Sequence, residues 1–194
     1  MEKLNIGFAL CGSFCTFSQV IPQIRLLAED GHNVIPIMSY NAFSTDTRFG
    51  KAADFNAEIE DICRNKIIST LTAAEPIGPK KMLDIIIAEP CTGNTLAKLA
   101  NSIADTPVTL AVKSHLRNSR PVLIAISTND ALAGAAKNIG QLHNRKNMFF
   151  VPYRQDDCEN KPSSIVADFT KTREAMFAAL SGKQLQPLII PNVI

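Results

Sequence analysis

Short apolar segments alternate with helical patterns along the whole chain. The clearest segment is Leu83–Ala88, which has branched apolar side chains on both faces of a predicted strand. A helical pattern follows it, with Leu96, Leu99, Ala100 and Ile103 at the i, i+3, i+4, i+7 spacing. A strand buried on both faces needs helices above and below it, so this alternation is typical of βαβ units. We therefore predict an α/β fold, a three-layer α/β/α sandwich with a parallel sheet.

The same patterns give approximate element positions. The predicted strands are Leu4–Leu10, Val34–Met38, Leu83–Ala88, Pro121–Ile126 and Asn147–Val151, the last of which is expected to end the sheet. Helices are expected from about Cys15 to Gly31, Asp54 to Cys63, Thr95 to Ile103, Pro107 to Leu116, Leu132 to Leu142 and Phe169 to Leu180. Phe43–Ala53 and Ala73–Lys81 are predicted loops, and the tail Gln184–Ile194 is expected to pack on a neighbouring subunit.

Size and charge limit the classes of protein that this chain fits. A length of 194 residues is enough for one well-filled domain, so we expect a single domain over 1–194. Lys and Arg total 20 against 18 Asp and Glu, which disfavours a nucleic-acid partner. No stretch approaches the roughly 20 apolar residues of a membrane helix, and the first residues lack a signal-peptide pattern. A cytoplasmic protein without a membrane role is expected.

The cysteine and histidine spacings do not suggest a metal site. The five cysteines contain no C-x-x-C pair, and the three histidines form no H-x-H or H-E-x-x-H arrangement. We therefore predict neither a disulfide framework nor a bound metal. His115 is the one histidine expected near the functional edge of the sheet, although a role away from substrate is the commoner outcome for such a residue.

Polar turns follow several predicted strands. In an open parallel sheet the ligand lies beyond the carboxyl ends of the strands, where helix N-termini offer free N–H groups. Hydroxyl and N–H groups suit a phosphorylated ligand, but the same residue types cap helices whatever the function, so each turn alone is ambiguous. The turn residues concerned are Gly12, Ser13 and Thr16; Ser39 and Asn41; Thr92, Gly93, Asn94 and Thr95; and Ser127, Thr128, Asn129 and Asp130.

Three common site motifs are missing from the sequence. There is no G-x-G-x-x-G after the first strand and no G-x-x-x-x-G-K-[ST], which disfavours a dinucleotide or nucleoside triphosphate held by this chain alone. There is also no G-x-S-x-G, so a serine hydrolase lacks its nucleophile.

Taken together, the turns resemble the flavoprotein family of cysteine decarboxylases and flavin prenyltransferases. The most specific segment is Pro90–Asp105, which begins Pro-Cys-Thr-Gly-Asn-Thr. The resemblance implies a flavodoxin-like or Rossmann-like fold that binds FMN, with Gly12, Ser13, Ser39, Asn41 and the turn from Pro90 to Thr95 around its phosphate and ribityl chain. Thr16, Ser127 and Thr128 complete the predicted FMN site.

Nearly the whole chain is similar to one branch of that family, the B subunits of bacterial dipicolinate synthases. Ser44–Gly50, Ala125–Leu132 and Lys146–Asp157 carry this similarity. It implies a separate A subunit as partner, a homo-oligomer, and a role in forming dipicolinic acid in the mother cell of a sporulating bacterium. The sequence differs from the decarboxylases in two places. Phe43–Ala53 has no histidine, and Lys113–Asn118 stands in place of their Pro-Ala-Met-Asn motif. Ser127 stands where the prenyltransferases have arginine.

Our hypothesis is that FMN oxidises a dihydropyridine dicarboxylate to dipicolinate. Two carboxylates call for cations, and an arginine can bind each one in a bidentate manner. Arg48, Lys113 and Arg117 are the predicted cations, with Thr47 and Asn129 as neutral donors, although any of them can equally be a solvated surface residue. An FMN-dependent decarboxylase and a flavin-free scaffold for the A subunit are the alternatives.

Overall fold

Buried apolar strands form the centre of a seven-stranded sheet in the computed structural model, which describes residues 3–191. Every side chain of the third strand is buried on both faces, as its branched sequence predicts. The strands are β1 (Asn5–Leu10), β2 (Asn33–Met38), β3 (Ile85–Cys91), β4 (Val122–Thr128), β5 (Met148–Phe150), β6 (Tyr153–Asp157) and β7 (Lys161–Ala167).

Helices flank this sheet and bury their apolar sides against it. They are α1 (Phe17–Glu29), α2 (Tyr40–Ser44), α3 (Ala52–Cys63), α4 (Leu71–Ala74), α5 (Gly93–Ala100), α6 (Pro107–Leu116), α7 (Ala136–His143) and α8 (Thr172–Leu180). Within α1, Val20, Ile24 and Leu27 are fully or almost fully buried. α6 begins at a capping box, in which Thr106 and Thr109 exchange side-chain to backbone hydrogen bonds. No helix within residues 3–191 has the length and hydropathy needed to span a membrane.

The sheet is mostly parallel, with the order β2-β1-β3-β4, and this confirms the predicted α/β fold class. β4 has two different neighbours on its outer side. Its first residues pair in parallel with β5, and Ser127 and Thr128 pair antiparallel with β7. The sheet is therefore mixed at this edge, because β6 and β7 form an antiparallel hairpin.

The prediction that the sheet ends near Val151 was wrong, since β6 and β7 follow it. Both strands are rich in charged and hydroxyl residues, so they lack the apolar signal of a buried strand. The two predicted loops start within short helices, because α2 ends at Ser44 and α4 ends at Ala74, and a 3-10 helix over Glu75–Ile77 lies inside the second loop. The helix after β4 also begins at Ala136 rather than Leu132, because Asp130 to Gly134 form turns.

The described part of the tail makes contacts with its own chain, and its expected packing on a neighbouring subunit stays a prediction. The Gln184 side chain accepts a hydrogen bond from the Phe150 N–H at 2.8 Å and donates one to the Phe150 carbonyl at 2.7 Å. Tyr153 N–H donates to the Leu188 carbonyl at 2.9 Å, which extends the pairing. Residues 192–194 of this predicted segment lie outside the described residues.

Candidate functional site

The polar turns after β1 and β4 contact each other at the carboxyl edge of the sheet. The hydroxyl oxygens of Ser13 and Ser127 are 2.8 Å apart, although 114 residues separate them in sequence. The turn after β2 joins this group, because a Cβ atom on Gly12 would lie 3.8 Å from the Cβ of Asn41. Parallel pairing brings these strand ends together, so one edge carries all of these side chains.

The turn between β3 and α5 packs just as closely. A Cβ atom on Gly93 would lie 2.7 Å from Thr128 Oγ1 and 2.8 Å from Asp130 Oδ1, so the absence of a side chain allows this approach. Thr128 Oγ1 donates a 2.6 Å hydrogen bond to Asp130, which fixes both side chains. The Thr92 side chain makes no capping bond to α5, so the N-cap residue leaves the N–H groups of the first turn without a side-chain cap.

A cavity of about 1070 Å³ opens beside these turns. Its walls are the turns after β1 and β4, the loop around Arg48, and the β6–β7 hairpin. The aromatic rings of Phe14, Phe49 and Phe169 line it together with polar groups. Ordinary ligand sites occupy roughly 300–1000 Å³, so this cavity is large enough for two adjacent small molecules.

The predicted cofactor residues fall into two groups. Those on the cavity wall are Gly12, Ser13, Thr16, Thr92, Ser127 and Thr128. Those in the same turns but off the wall are Ser39, Asn41, Pro90, Gly93, Asn94 and Thr95. Two of the second group have local roles, because Ser39 caps α2 by accepting from Ala42 N–H and Thr95 is buried, donating to the Cys11 sulfur at 3.2 Å.

The predicted substrate residues are divided between two places. Thr47, Arg48 and Asn129 line the cavity. The prediction that Lys113 and Arg117 join them was wrong for the single chain, since both line a separate cavity. α6 runs back toward the start of β4, so residues at its C-terminal end lie at the amino edge of the sheet, opposite the turns.

His115 also lies at the amino edge, and its expected position near the functional edge was wrong. Its side chain is buried, and Nε2 is 3.1 Å from the Pro121 carbonyl oxygen just before β4. Burial lowers the pKa of His115 to about 4, so the ring is neutral at pH 7. The arrangement is structural and has no contact with the larger cavity.

The β6–β7 hairpin supplies cavity residues that the sequence did not indicate. Arg154 pairs with Asp168 at 3.0 Å, and Lys161 pairs with Asp156 at 3.0 Å. Ser164 donates to Asn129 Oδ1 at 3.4 Å, which ties the hairpin to the turn after β4. The one available sequence signal was the polar turn Asp157–Asn160 between two short segments, a weak hairpin indicator.

A buried polar cluster lies behind the turn at the end of β3. Thr172 Oγ1 donates a 2.6 Å hydrogen bond to Glu89 Oε2, whereas Glu89 Oε1 has no partner. Burial raises the pKa of Glu89 to about 8, so its carboxyl group is mainly protonated at neutral pH. Cys11 and Cys91 form a separate buried pair, in which contact with Cys91 lowers the pKa of the Cys11 thiol and contact with Cys11 raises that of Cys91.

The titratable side chains of the described residues form neither a metal-site nor a disulfide arrangement. Among residues 3–191, no group of three or more His, Cys, Asp or Glu side chains is arranged to hold a metal ion. All five cysteines are free thiols. The edge therefore offers hydroxyls, N–H groups and a few cations to a ligand.

Comparison with known proteins identifies relatives of the whole chain. The Flavoprotein family model matches residues 1–176. The B subunit of dipicolinate synthase from Bacillus subtilis (strain 168) is 44% identical over 192 residues, which cover 99% of this chain and 96% of that protein.

Solved structures give the same picture. The crystal structure of the dipicolinate synthase B subunit from Bacillus halodurans C superposes with a TM-score of 0.90 at 40% identity, covering 98% of this chain and 97% of the other. Burkholderia xenovorans DmrB in complex with FMN superposes with a TM-score of 0.67 over 93% of this chain and 97% of its own. Its identity is 16%, so this similarity concerns the fold.

Proposed function

Because the chain belongs to the Flavoprotein family, we propose that it binds FMN in the cavity at the carboxyl edge of the sheet. The observation that carries the proposal is the contact between Ser13 and Ser127, which unites turns from distant parts of the chain in one polar wall. FMN-bound DmrB, which shares the fold, supports the choice of ligand.

The residues of this wall fit FMN in size and chemistry. A cavity of about 1070 Å³ has room for a flavin and a small substrate beside it. The phosphate suits the hydroxyls of Ser13, Thr92 and Ser127, which lie on the cavity wall, and Thr92 is also the N-cap of α5, whose positive dipole end favours an anion. The rings of Phe14 and Phe49 give the flavin apolar surface.

We further propose that the protein is a flavin-dependent oxidoreductase, which oxidises a dihydrodipicolinate-type intermediate to dipicolinate. The relatedness to the B subunit of dipicolinate synthase over the whole chain supports this substrate. When bound, FMN would supply the two-electron acceptor, and aromatisation of the dihydropyridine ring would release one hydride and one proton in total. The aromatic product makes the step favourable, so the protein chiefly has to bind and orient the dianion.

Arg48 is the cation best suited to one substrate carboxylate. It lines the cavity, and no Asp or Glu among residues 3–191 lies within salt-bridge distance of it. Its guanidinium carbon is 4.9 Å from the Phe49 ring centroid, which leaves the N–H edge free for a bidentate contact. The Thr47 hydroxyl and the Asn129 amide are the neutral donors.

The biological setting belongs to the same proposal. The relatives are named as the B component of a synthase, which supports a separate A subunit as partner. We propose that the chain forms a homo-oligomer, acts with that A subunit, and works in the cytoplasm of the mother cell during sporulation. One domain over 1–194 is then sufficient for the FMN-dependent step.

An FMN-dependent decarboxylase is a weaker alternative. A decarboxylase that uses histidine as a base needs one beside the flavin, and none of His32, His115 and His143 lines the cavity. A visible absorbance spectrum distinguishes the flavin-free scaffold from both enzymes, because a purified protein that holds FMN should be yellow.

The deciding experiment titrates the purified full-length chain with FMN and follows the flavin absorbance shift, with and without the A subunit. We expect one FMN per chain, and a Ser13→Ala/Ser127→Ala double variant should bind FMN at least about tenfold more weakly, the equivalent of roughly 1.4 kcal/mol. Reduction of bound FMN by a dihydropyridine dicarboxylate, with dipicolinate as product, is the expected half-reaction, and an added electron acceptor that reoxidises the flavin completes the turnover. If FMN binds neither to the chain alone nor to the chain together with the A subunit, the flavin proposal is refuted.

A further inference from the structure

A second cavity of about 450 Å³ lies at the amino edge of the sheet, away from the proposed FMN site. It is formed where the C-terminal ends of α5 and α6 meet the segments that precede β4 and β5. We call it the amino-edge groove. Its floor consists of the apolar side chains of Leu99, Ile103, Val112 and Leu116.

The rim of this groove is cationic. Lys113, Arg117, Arg145 and Lys146 line it, and no Asp or Glu does. None of these four cations belongs to a salt bridge among residues 3–191. Arg145 is occupied by the Leu99 carbonyl and the Ser102 hydroxyl, which leaves Lys113, Arg117 and Lys146 for a ligand.

Stabilisation of helix ends does not explain the whole arrangement. Cations near helix C-termini offset the helix dipole, and this accounts for one or two of these side chains. It does not explain why Ile103, with 47% of its surface exposed, lies beside them on an apolar floor. An apolar floor with a positive rim is complementary to a molecule that has an apolar body and a negative group.

We propose that the amino-edge groove is a second binding site, which takes a small organic anion with an apolar body, such as an aliphatic or aromatic carboxylate. The apolar body lies on Ile103 and Leu116, and the carboxylate is bound by Lys113 and Arg117. The groove lies within the usual volume range of small-molecule sites. The proposal does not depend on FMN binding, because the two cavities share no residue.

Calorimetric titration of the full-length chain with octanoate tests the site. Acetate, which lacks the long apolar chain, and octylammonium, which lacks the carboxylate, are the comparison ligands. We expect octanoate to bind at least about tenfold more tightly than either, since both the apolar and the charged contacts are required. Its affinity should be the same with and without saturating FMN. Displacement of octanoate by FMN would place it in the larger cavity and overturn the proposal.

Substitutions in the amino-edge groove test whether octanoate binds there. Ile103→Asp and the exposed pair Lys113→Glu/Arg117→Glu should each weaken octanoate at least about tenfold. The matched controls are Leu26→Asp, which changes an exposed leucine on α1, and Lys137→Glu on α7, and they should leave the affinity unchanged. Unchanged affinity in the charge-reversal pair would refute the site. Light scattering measures the oligomeric mass of Ile103→Asp. If this mass changes and the parent chain does not bind octanoate, the proposal is overturned and the groove is a contact between copies of the chain.

Discussion

Arg48 carries the charge on which substrate recognition is proposed to depend. Replacing it with alanine should raise the KM for the dicarboxylate by about 10- to 100-fold, the value of one charge-assisted contact of roughly 1.5–3 kcal/mol. The FMN content should not change, because the proposed phosphate contacts lie in other turns. Steady-state kinetics and flavin absorbance measure the two effects.

Arg48→Lys is the matched control for this prediction. It keeps the positive charge but loses the bidentate geometry, so it should recover only part of the affinity. Equal KM values for the parent chain and the alanine variant would remove Arg48 from the substrate site.

Glu89 should make stability fall as the pH rises. Its carboxyl group has a pKa of about 8 in the folded chain against an ordinary pKa of 4.5, so the folded state binds the extra proton between these values. This contribution to stability is complete below pH 4.5 and is lost as the pH rises toward 8. Relative to Glu89→Gln, the free energy of unfolding of the parent chain should fall by up to about 1.4 kcal/mol per pH unit within that window.

Urea unfolding of both proteins at several pH values measures this difference. The comparison cancels the opposite effect of His115, which is present in both chains and whose lowered pKa costs stability as the pH falls below 6.5. Parallel stability curves for the two proteins would show that Glu89 is not a protonated group in the folded state.

At the scale of elements, the first turn of α5 depends on the absence of a side chain at Gly93. A methyl group there would approach Thr128 Oγ1 to 2.7 Å, so Gly93→Ala should push α5 away from the turn after β4. We expect a loss of about 1–3 kcal/mol in stability and at least about tenfold weaker FMN binding. Urea unfolding and FMN titration of the variant measure the two losses.

Gly140→Ala is the natural control, because Gly140 also lies in a helix but a methyl group added there would meet no atom within 4 Å beyond its chain neighbours and the backbone of its own helix. It should raise the free energy of unfolding by about 0.5–1 kcal/mol through helix propensity alone, with FMN binding unchanged. Similar effects of the two substitutions would contradict the close packing at Gly93.

The parallel core was predictable from sequence because its strands carry their own signal. Ile85, Ile86 and Ile87 are branched and buried, and Pro107 with Thr106 marks the start of α6 within one residue. The polar turns were predictable as neighbours for the same reason, since parallel strands end at one edge. The ligand that they bind is still a prediction.

The hairpin and the substrate cations were not predictable in the same way. β6 and β7 pair through their backbones, and their buried positions are a mixture of polar and apolar residues, which leaves little periodic pattern. Lys113 and Arg117 were misplaced because local sequence does not give the direction in which α6 crosses the sheet. That direction is a property of the long-range packing.

At the scale of the whole molecule, the C-terminal segment holds the outer edge of the sheet together. Both backbone groups of Phe150 are bound by the Gln184 side chain, in a short strand with one neighbour. Gln184→Ala should therefore cost about 1–3 kcal/mol, because it leaves polar groups unpaired beside a buried ring. Chemical denaturation measures the loss.

The adjacent exposed residue gives the comparison. Lys183→Ala should change the free energy of unfolding by less than about 0.5 kcal/mol. A cost for Gln184→Ala no greater than that for Lys183→Ala would show that the segment is not needed for the stability of the chain.

β4 pairs with β5 near its start and with the β6–β7 hairpin near its end, so the strands of the parallel core differ from those that form the outer wall of the cavity. The hairpin joins β4 only at Ser127 and Thr128, while the core pairing lies further back along the strand. Tyr153, Ile165 and Ala167 are buried in the core, so it is the other positions of β6 and β7 that can change without disturbing the parallel strands. Exchange of this hairpin between members of the family should therefore change the outer wall of the cavity while the turns after β1 and β3, which belong to the proposed FMN site, are kept.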